Sequence, residues 1–211
     1  MTSAPPDPNY KFKWAPDGTP IDQPPYEPHK PTPPAKKPWW LSMIEWGILV
    51  ISALLIAFLI KTYLFQAFYI PSESMVPTLE VHDRVLVNKL SYKLHDVHRG
   101  DIVVFKTPPG VDRSFKDLVK RVIGLPGETI EARKGHVYIN HKLLKEPYLP
   151  RGTFTDFYGL KSYKIPKDSY WVMGDNRTNS RDSRFFKAIS KKLIVGRVFI
   201  RIWPLSRIDL L

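Results

Sequence analysis

The sequence contains no cysteine, which excludes disulfides, thiol nucleophiles and cysteine-ligated metals. Histidine is present but poorly placed for metal chemistry. His29, His82, His95, His98, His136 and His141 show no HExxH spacing. His95 and His98 have no ligand cluster near them in the chain and read as an exposed loop pair. No metal and no cofactor is therefore expected. Acidic residues are also scarce, with 20 Asp and Glu against 32 Lys and Arg, a net charge of +12. Such a balance suits nucleic acid, an anionic membrane surface or an acidic substrate. The basic residues are mixed with acids and form no long run, so no nucleic-acid partner is expected, whereas a lipid membrane is.

A second long apolar run is missing too, which makes the first one decisive. In "WWLSMIEWGILVISALLIAFLIKTY" the only charge between Ser42 and Ile60 is Glu45. As a helix this run spans about 28 Å, close to the hydrocarbon core of a bilayer. Trp39, Trp40 and Trp46 at one end and Tyr63 at the other suit the two interfaces. The segment predicted to span is 41–62. Before it, residues 1–40 hold 12 of the 21 prolines and few aliphatics, a composition expected to stay disordered or polyproline-like. Lys30, Lys36 and Lys37 precede the span, while Lys61 alone follows it before Glu73, Glu80 and Asp83. The positive-inside rule then places the N-terminus in the cytoplasm and residues 63–211 outside.

Those outer residues read as one all-β domain. "RVLVNKL", "DIVVFK", "LVKRVIG", "TIEARKGHVYIN", "SYWVMGD" and "GRVFIRIWP" are short runs rich in Val, Ile and aromatics, punctuated by Gly, Pro and Asp. "RKGHVYINHKLL" has the alternation of a hairpin, and "RDSRFFKAISKKL" leaves room for one short helix. The fold class expected is thus a single N-terminal transmembrane helix followed by an antiparallel β-sheet domain with a small β-hairpin subdomain.

With thiols and metals excluded, catalysis needs paired carboxylates or an activated hydroxyl. Asp175 and Asp182 lie in "GDNRTNSRDSRF" beside Arg177, Arg181 and Arg184, a setting that favours structural ion pairs over a general acid. An activated serine needs a base, and lysine serves only if it is neutral. An unperturbed lysine is neutral in about one molecule in 2,500 at pH 7, a deficit of about 5 kcal/mol. A catalytic lysine should therefore be buried in an apolar strand. Lys120 in "DLVKRVIGLPGE" has Leu118, Val119, Val122 and Ile123 around it. Strand alternation groups it with Leu118 and Val122 and turns Arg121 the other way. Two serines, Ser72 and Ser74, stand in "YIPSESMVPTLE", where Pro71 and Pro77 predict a stiff, extended, non-helical segment.

"IPSESMVPTL", "LVKRVIGLPGE" and "GDNRTNSRDSR", in that order after a membrane anchor, resemble the boxes of bacterial type I signal peptidases, the serine–lysine peptidases of family S26. Anchor and boxes cover residues 41–184, and "GRVFIRIWPL" resembles the family's last strand. The resemblance implies a membrane endopeptidase that removes signal peptides from exported preproteins through an acyl-enzyme. It implies Ser74 as nucleophile and Lys120 as general base, with Ser72 and the Ser74 backbone N–H forming the oxyanion hole. Ser180 would orient the lysine, with Asp175, Asp182 and Arg184 in support. The substrate would add as a strand between residues 69–72 and 117–120. Tyr69, Ile70, Pro71, Met75, Leu79, Asp117, Leu118 and Val119 would contact it, with shallow apolar pockets for small residues at its −1 and −3 positions. Partners implied are signal peptides, the membrane and the protein-export machinery. The membrane expected is the plasma membrane, with a thylakoid membrane as the alternative.

The chain departs from the family pattern in two places. Glu73 stands where many relatives have glycine, and Glu128 ends a box where aspartate is frequent. Residues 129–170 leave room for only a reduced second subdomain. Two other readings are a self-cleaving repressor-type serine–lysine peptidase and a membrane-anchored β-domain that binds export partners without chemistry. The membrane span and the third box separate this chain from the former.

Overall fold

The computed structural model describes residues 9, 11–19, 21, 38–111 and 116–211. The basic flank Lys30, Lys36 and Lys37, and most of the Pro-rich segment, lie outside the described residues. Within that segment one hydrogen-bonded turn is described, which its composition does not announce. The Gly18 and Ala15 amides donate to Ala15 O and Thr19 O, and Asp17 accepts from the Thr19 amide.

Helix α1 runs Trp39–Leu59, and a π-helical turn continues it over Ile60–Leu64. It is long and apolar enough to cross a membrane, with no buried residue. Leu, Ile, Ala and Phe line it on every side, as expected of a helix whose solvent is lipid rather than water. It begins two residues earlier than the apolar run predicts, at Trp39.

Everything from Phe65 onward is mostly β. The strands are β1 Phe65–Tyr69, β2 Arg84–Asn88, β3 Ile102–Lys106, β4 Asp117–Gly124, β5 Thr129–Arg133 and β6 His136–Ile139. They continue with β7 Lys142–Leu143, β8 Ser162–Lys164, β9 Ser169–Met173, β10 Ile189–Ser190, β11 Ile194–Trp203 and β12 Asp209–Leu210. Two short helices complete the set, α2 Ser91–Leu94 and α3 Ser183–Phe186. All the expected strand runs form. The second, third and last of them are the centre of an eight-stranded antiparallel sheet ordered β1-β2-β11-β3-β4-β9-β10, with β12 on β11. The hairpin predicted in "RKGHVYINHKLL", residues 133–144, belongs to a separate four-stranded sheet, β7-β6-β5-β8.

Three apolar clusters hold these layers. Ile70, Met75, Leu79, Val85 and Val87 pack under the Ser74 turn. Val103, Phe105, Val122 and Val172 fill a second cluster, alternate residues of their strands turned to one side. Ile123, Trp171 and Met173 from the large sheet meet Ile130, Val137 and Ile139 of the small one in the third. β4 contributes to the second and third clusters and places Val119 against the first, so its backbone is fixed from several sides.

Candidate active site

β3 and β4 pair in register along the whole length of β3, with Lys120 opposite Val103. On its other side, β4 pairs with β9 only from Arg121 onward. Among the described residues, Asp117–Lys120 therefore have no strand partner on that edge. Lys120 is 3% exposed, and its Nζ lies 2.5 Å from Ser74 Oγ. Burial pushes the Lys120 amine down to about 8, although Asp182 and then Asp175 pull it back up; Arg184 adds a push down. At pH 7 that leaves about one lysine in ten neutral, about 250 times the unperturbed fraction. The buried apolar position that the strand pattern predicts for Lys120 is thus found.

The Ser74 segment differs from expectation. Ser72 is extended, at φ −135° and ψ 158°, but Glu73–Met75 form a single 3-10 turn, so the segment is not extended through the serines. The Val76 amide closes the turn on Glu73 O at 3.1 Å. The turn persists because loop 174–179 holds it: the Asn176 amide donates to Ser74 O at 3.1 Å and Asn176 Nδ2 to Glu73 O at 3.2 Å. Prolines at 71 and 77 keep it from growing into a longer helix. Glu73 points to Asn179 Nδ2, 3.2 Å away. Ser72 Oγ is 3.4 Å from Ser74 Oγ.

Gly174 explains how closely loop and turn approach. A Cβ there would sit 2.3 Å from both Ser74 O and Ser180 Oγ, so no side chain fits. Ser180 Oγ is buried there and has no hydrogen-bond partner among the described residues. The bond expected from Ser180 to Lys120 is not formed: Nζ bonds Ser74 Oγ, and the Ser180 hydroxyl is packed against Gly174. A buried hydroxyl left unpaired costs about 1–3 kcal/mol and calls for a reason.

The carboxylates are structural ion-pair partners. Asp182 binds Arg184 through both oxygens at 2.8 and 2.9 Å, accepts from the Gly174 amide at 3.0 Å, and caps α3. Asp175 pairs not with the arginines beside it in sequence but with Arg121, whose Nε and Nη2 donate at 2.9 and 2.6 Å. Thr78 Oγ1 also donates to Asp175, at 2.5 Å. Arg121 and Thr78 are support residues that sequence reading missed; the residue beside Lys120 gave no local sign of a partner 54 positions away.

A groove of about 260 Å³ opens beside the pair, lined by Phe68–Ser72, Ser74, Met75 and Lys116–Lys120. Tyr69, Ile70, Pro71, Met75, Asp117, Leu118 and Val119 all border it. Leu79 does not. Its amide bonds Met75 O, which turns the chain back and buries Leu79 completely in the cluster below. Phe68 and Lys116 line the groove in addition. Tyr69 is fixed by a hydrogen bond between its hydroxyl and His82 Nδ1. Among the described residues no cluster of His, Asp and Glu could hold a metal.

Chemically, this arrangement suits a hydrolase that attacks through a hydroxyl and takes up the proton on an amine. Comparison with known proteins gives the family. The family model described as signal peptidase, peptidase S26, matches residues 43–203. A signal peptidase I of Leptolyngbya laminosa is 41% identical over 189 residues, which cover 88% of this chain and 90% of that one. A probable signal peptidase I-2 of Synechocystis is 40% identical over 184 residues, 86% and 81% of the two chains. Signal peptidase I P of Bacillus subtilis subsp. natto is 40% identical over 177 residues, 79% and 92%. A solved signal peptidase I of Enterococcus faecalis, 32% identical, covers 49% of this chain and 97% of that one at a TM-score of 0.42, too loose to carry an argument. The chain belongs to the signal peptidase family, peptidase S26. It is a serine endopeptidase of the signal peptidase I type, whose family reaction is the cleavage of signal peptides from preproteins.

Proposed function

We propose that Ser74 and Lys120 carry out this cleavage as a nucleophile–base pair, in a domain of residues 63–211 anchored to the membrane by residues 41–62. The observation that supports it best is the 2.5 Å approach of Ser74 Oγ to an amine that is 3% exposed. Neutral Lys120 takes the Ser74 proton as Oγ attacks the scissile carbonyl, and the lysine then returns it to the leaving amine. Water, deprotonated by the same lysine, releases the signal peptide from the acyl-enzyme. The oxyanion is met by the Ser74 backbone N–H and the Ser72 hydroxyl, whose extended backbone keeps it beside Ser74. Ser180 turns to Lys120 when the amine is charged and needs acceptors, while Asp175, Asp182 and Arg184 hold the loops.

The unpartnered edge of Asp117–Lys120 supports substrate binding as an added strand, opposite Tyr69–Ser72. Main-chain bonding of that kind tolerates varied sequences, and Ile70, Pro71, Met75, Leu118 and Val119 give the groove its small apolar recesses. The N-terminus lies in the cytoplasm and the peptidase domain on the outer side of a plasma or thylakoid membrane, beside the export machinery that delivers preproteins. Residues 1–40 form a cytoplasmic tail and residues 129–170 a reduced second subdomain.

Ser74→Ala and Lys120→Met test the pair. Each is expected to lower precursor cleavage by the full chain in detergent or lipid by about 10⁴-fold or more. Near-parental turnover by either variant would overturn the reading.

A further inference from the structure

One carboxylate outside all three boxes, Glu146, binds the buried Arg177 directly and reaches the buried Arg121 through the Tyr148 ring. Arg177, in loop 174–179, has a side chain with no exposure. Its Nη1 and Nη2 reach Glu146 Oε2 and Oε1 at 3.1 and 2.5 Å, its Nη1 donates to Thr155 Oγ1 at 2.8 Å, and its Nε donates to Gly174 O at 3.1 Å. Burial works against the Arg177 charge, and Glu146 more than offsets it. On its other side, Glu146 Oε1 accepts from Tyr148 Oη at 2.7 Å, and the Tyr148 ring lies 4.0 Å from the Arg121 guanidinium carbon. Burial, then the Glu146 charge, keeps the Tyr148 hydroxyl protonated far above its ordinary range.

The Ser74 turn and the residue next to Lys120 therefore both lead back to Glu146. Along one path, Glu146 holds Arg177, Arg177 holds the Gly174 carbonyl, and the same loop bonds Ser74 O and Glu73 O through Asn176. Along the other, Glu146 holds Tyr148, whose ring covers Arg121, the residue that follows Lys120. Glu146 itself sits in the segment that follows β7 of the small sheet. A single carboxylate thus organises two supports, one ending on the carbonyls of the Ser74 turn and the other on Arg121, the residue after Lys120.

We propose that Glu146 is a positioning residue for the reaction: through Arg177 and Tyr148 it sets the separation of Ser74 and Lys120. This rests on the reading of those two residues as the dyad. The small sheet is then more than a reduced appendage, since its connecting segment completes the support of the site.

The test uses the full-length chain in detergent, with cleavage of a precursor measured per folded molecule. Glu146→Ala is expected to lower kcat by about tenfold or more and to leave KM within about twofold, because the groove of Tyr69–Ser72 and Asp117–Lys120 is untouched. Glu146→Gln keeps an acceptor for Tyr148 and for Arg177, so its kcat should fall between those of the parent and the Ala variant. Tyr148→Phe keeps the ring over Arg121 and removes only the hydroxyl tie, and a several-fold fall in kcat is expected; it decides the matter if Glu146→Ala does not fold. Parental kcat per folded molecule, a loss confined to KM, or a Gln variant as slow as the Ala variant would overturn the proposal. Ser74→Ala run in parallel separates the two ideas: if it still cleaves, the dyad itself is wrong. If it is dead while the Glu146 and Tyr148 variants match the parent, only the positioning role fails.

Discussion

The two sheets treat charge in opposite ways. The large sheet and the loops at its β9 edge bury Lys120, Arg121, Asp175, Arg177, Asp182 and Arg184. No described strand of the four-stranded sheet buries a charged side chain. Its interior is Ile130, Val137 and Ile139 against Trp171 and Ile123, and its ion pairs, such as Arg133 with Glu131, are half exposed. Desolvated charge is expensive, and replacing it by apolar groups often leaves a protein as stable or more so. Asp83, Asp101 and Arg201 are buried elsewhere along the large sheet, but the larger group of desolvated charges gathers around Ser74, where chemistry as well as stability can retain it. Even there the solutions differ. Arg121 keeps its charge by binding Asp175 through two nitrogens, whereas Lys120, one residue earlier, has only a hydroxyl to bind and gives its proton up more easily.

Three measurements break or sharpen this contrast. The largest effect is expected from Asp182→Ala, which leaves the Arg184 side chain, 1% exposed, without its carboxylate. It should cost about 3–5 kcal/mol in urea unfolding, and a loss below about 1 kcal/mol would place the pair among ordinary surface bridges. Next comes Lys120→Met, read as stability. A lysine whose amine falls from 10.5 to about 8 on folding costs about 3 kcal/mol at neutral pH. The unfolded chain binds the extra proton between about pH 8 and 10.5, so the parent gains stability as pH rises through that window and carries the full cost below it. Lys120→Met should be the more stable protein at pH 7 and should lose that rise, which comparison of the two unfolding curves at pH 7 and 10 would detect. The smallest effect belongs to the other sheet: Arg133→Ala should change stability by less than about 1 kcal/mol.

The strands were legible in the sequence because each is a short Val- and Ile-rich run between turn residues, and the burial of Lys120 followed from its apolar neighbours. β1 was hidden because "FQAFY" continues the apolar helix run with no Gly or Pro between them. The turn at Glu73–Met75 was misread because prolines on both sides argue for extension, while the bonds that fold it come from Asn176, a hundred residues on. The resemblance implies Leu79 in the groove, and a turn through Met75 O carries it beneath instead. Arg121, Thr78 and Glu146 left no local trace, since each is defined by a partner on another element. What sequence patterns convey is which residues avoid water; which charged groups find each other is decided by the folded chain.

Ser74 and Lys120 are 46 residues apart, and Thr78 and Asp175 are 97 apart. Contacts of such range form only after long loops have closed, the slow part of building a β-rich domain. Until then the serine is an ordinary alcohol and the lysine an ordinary charged amine, each alone in water. The newly made chain is thus a harmless polypeptide, and whatever Ser74 and Lys120 do together begins only with its tertiary structure.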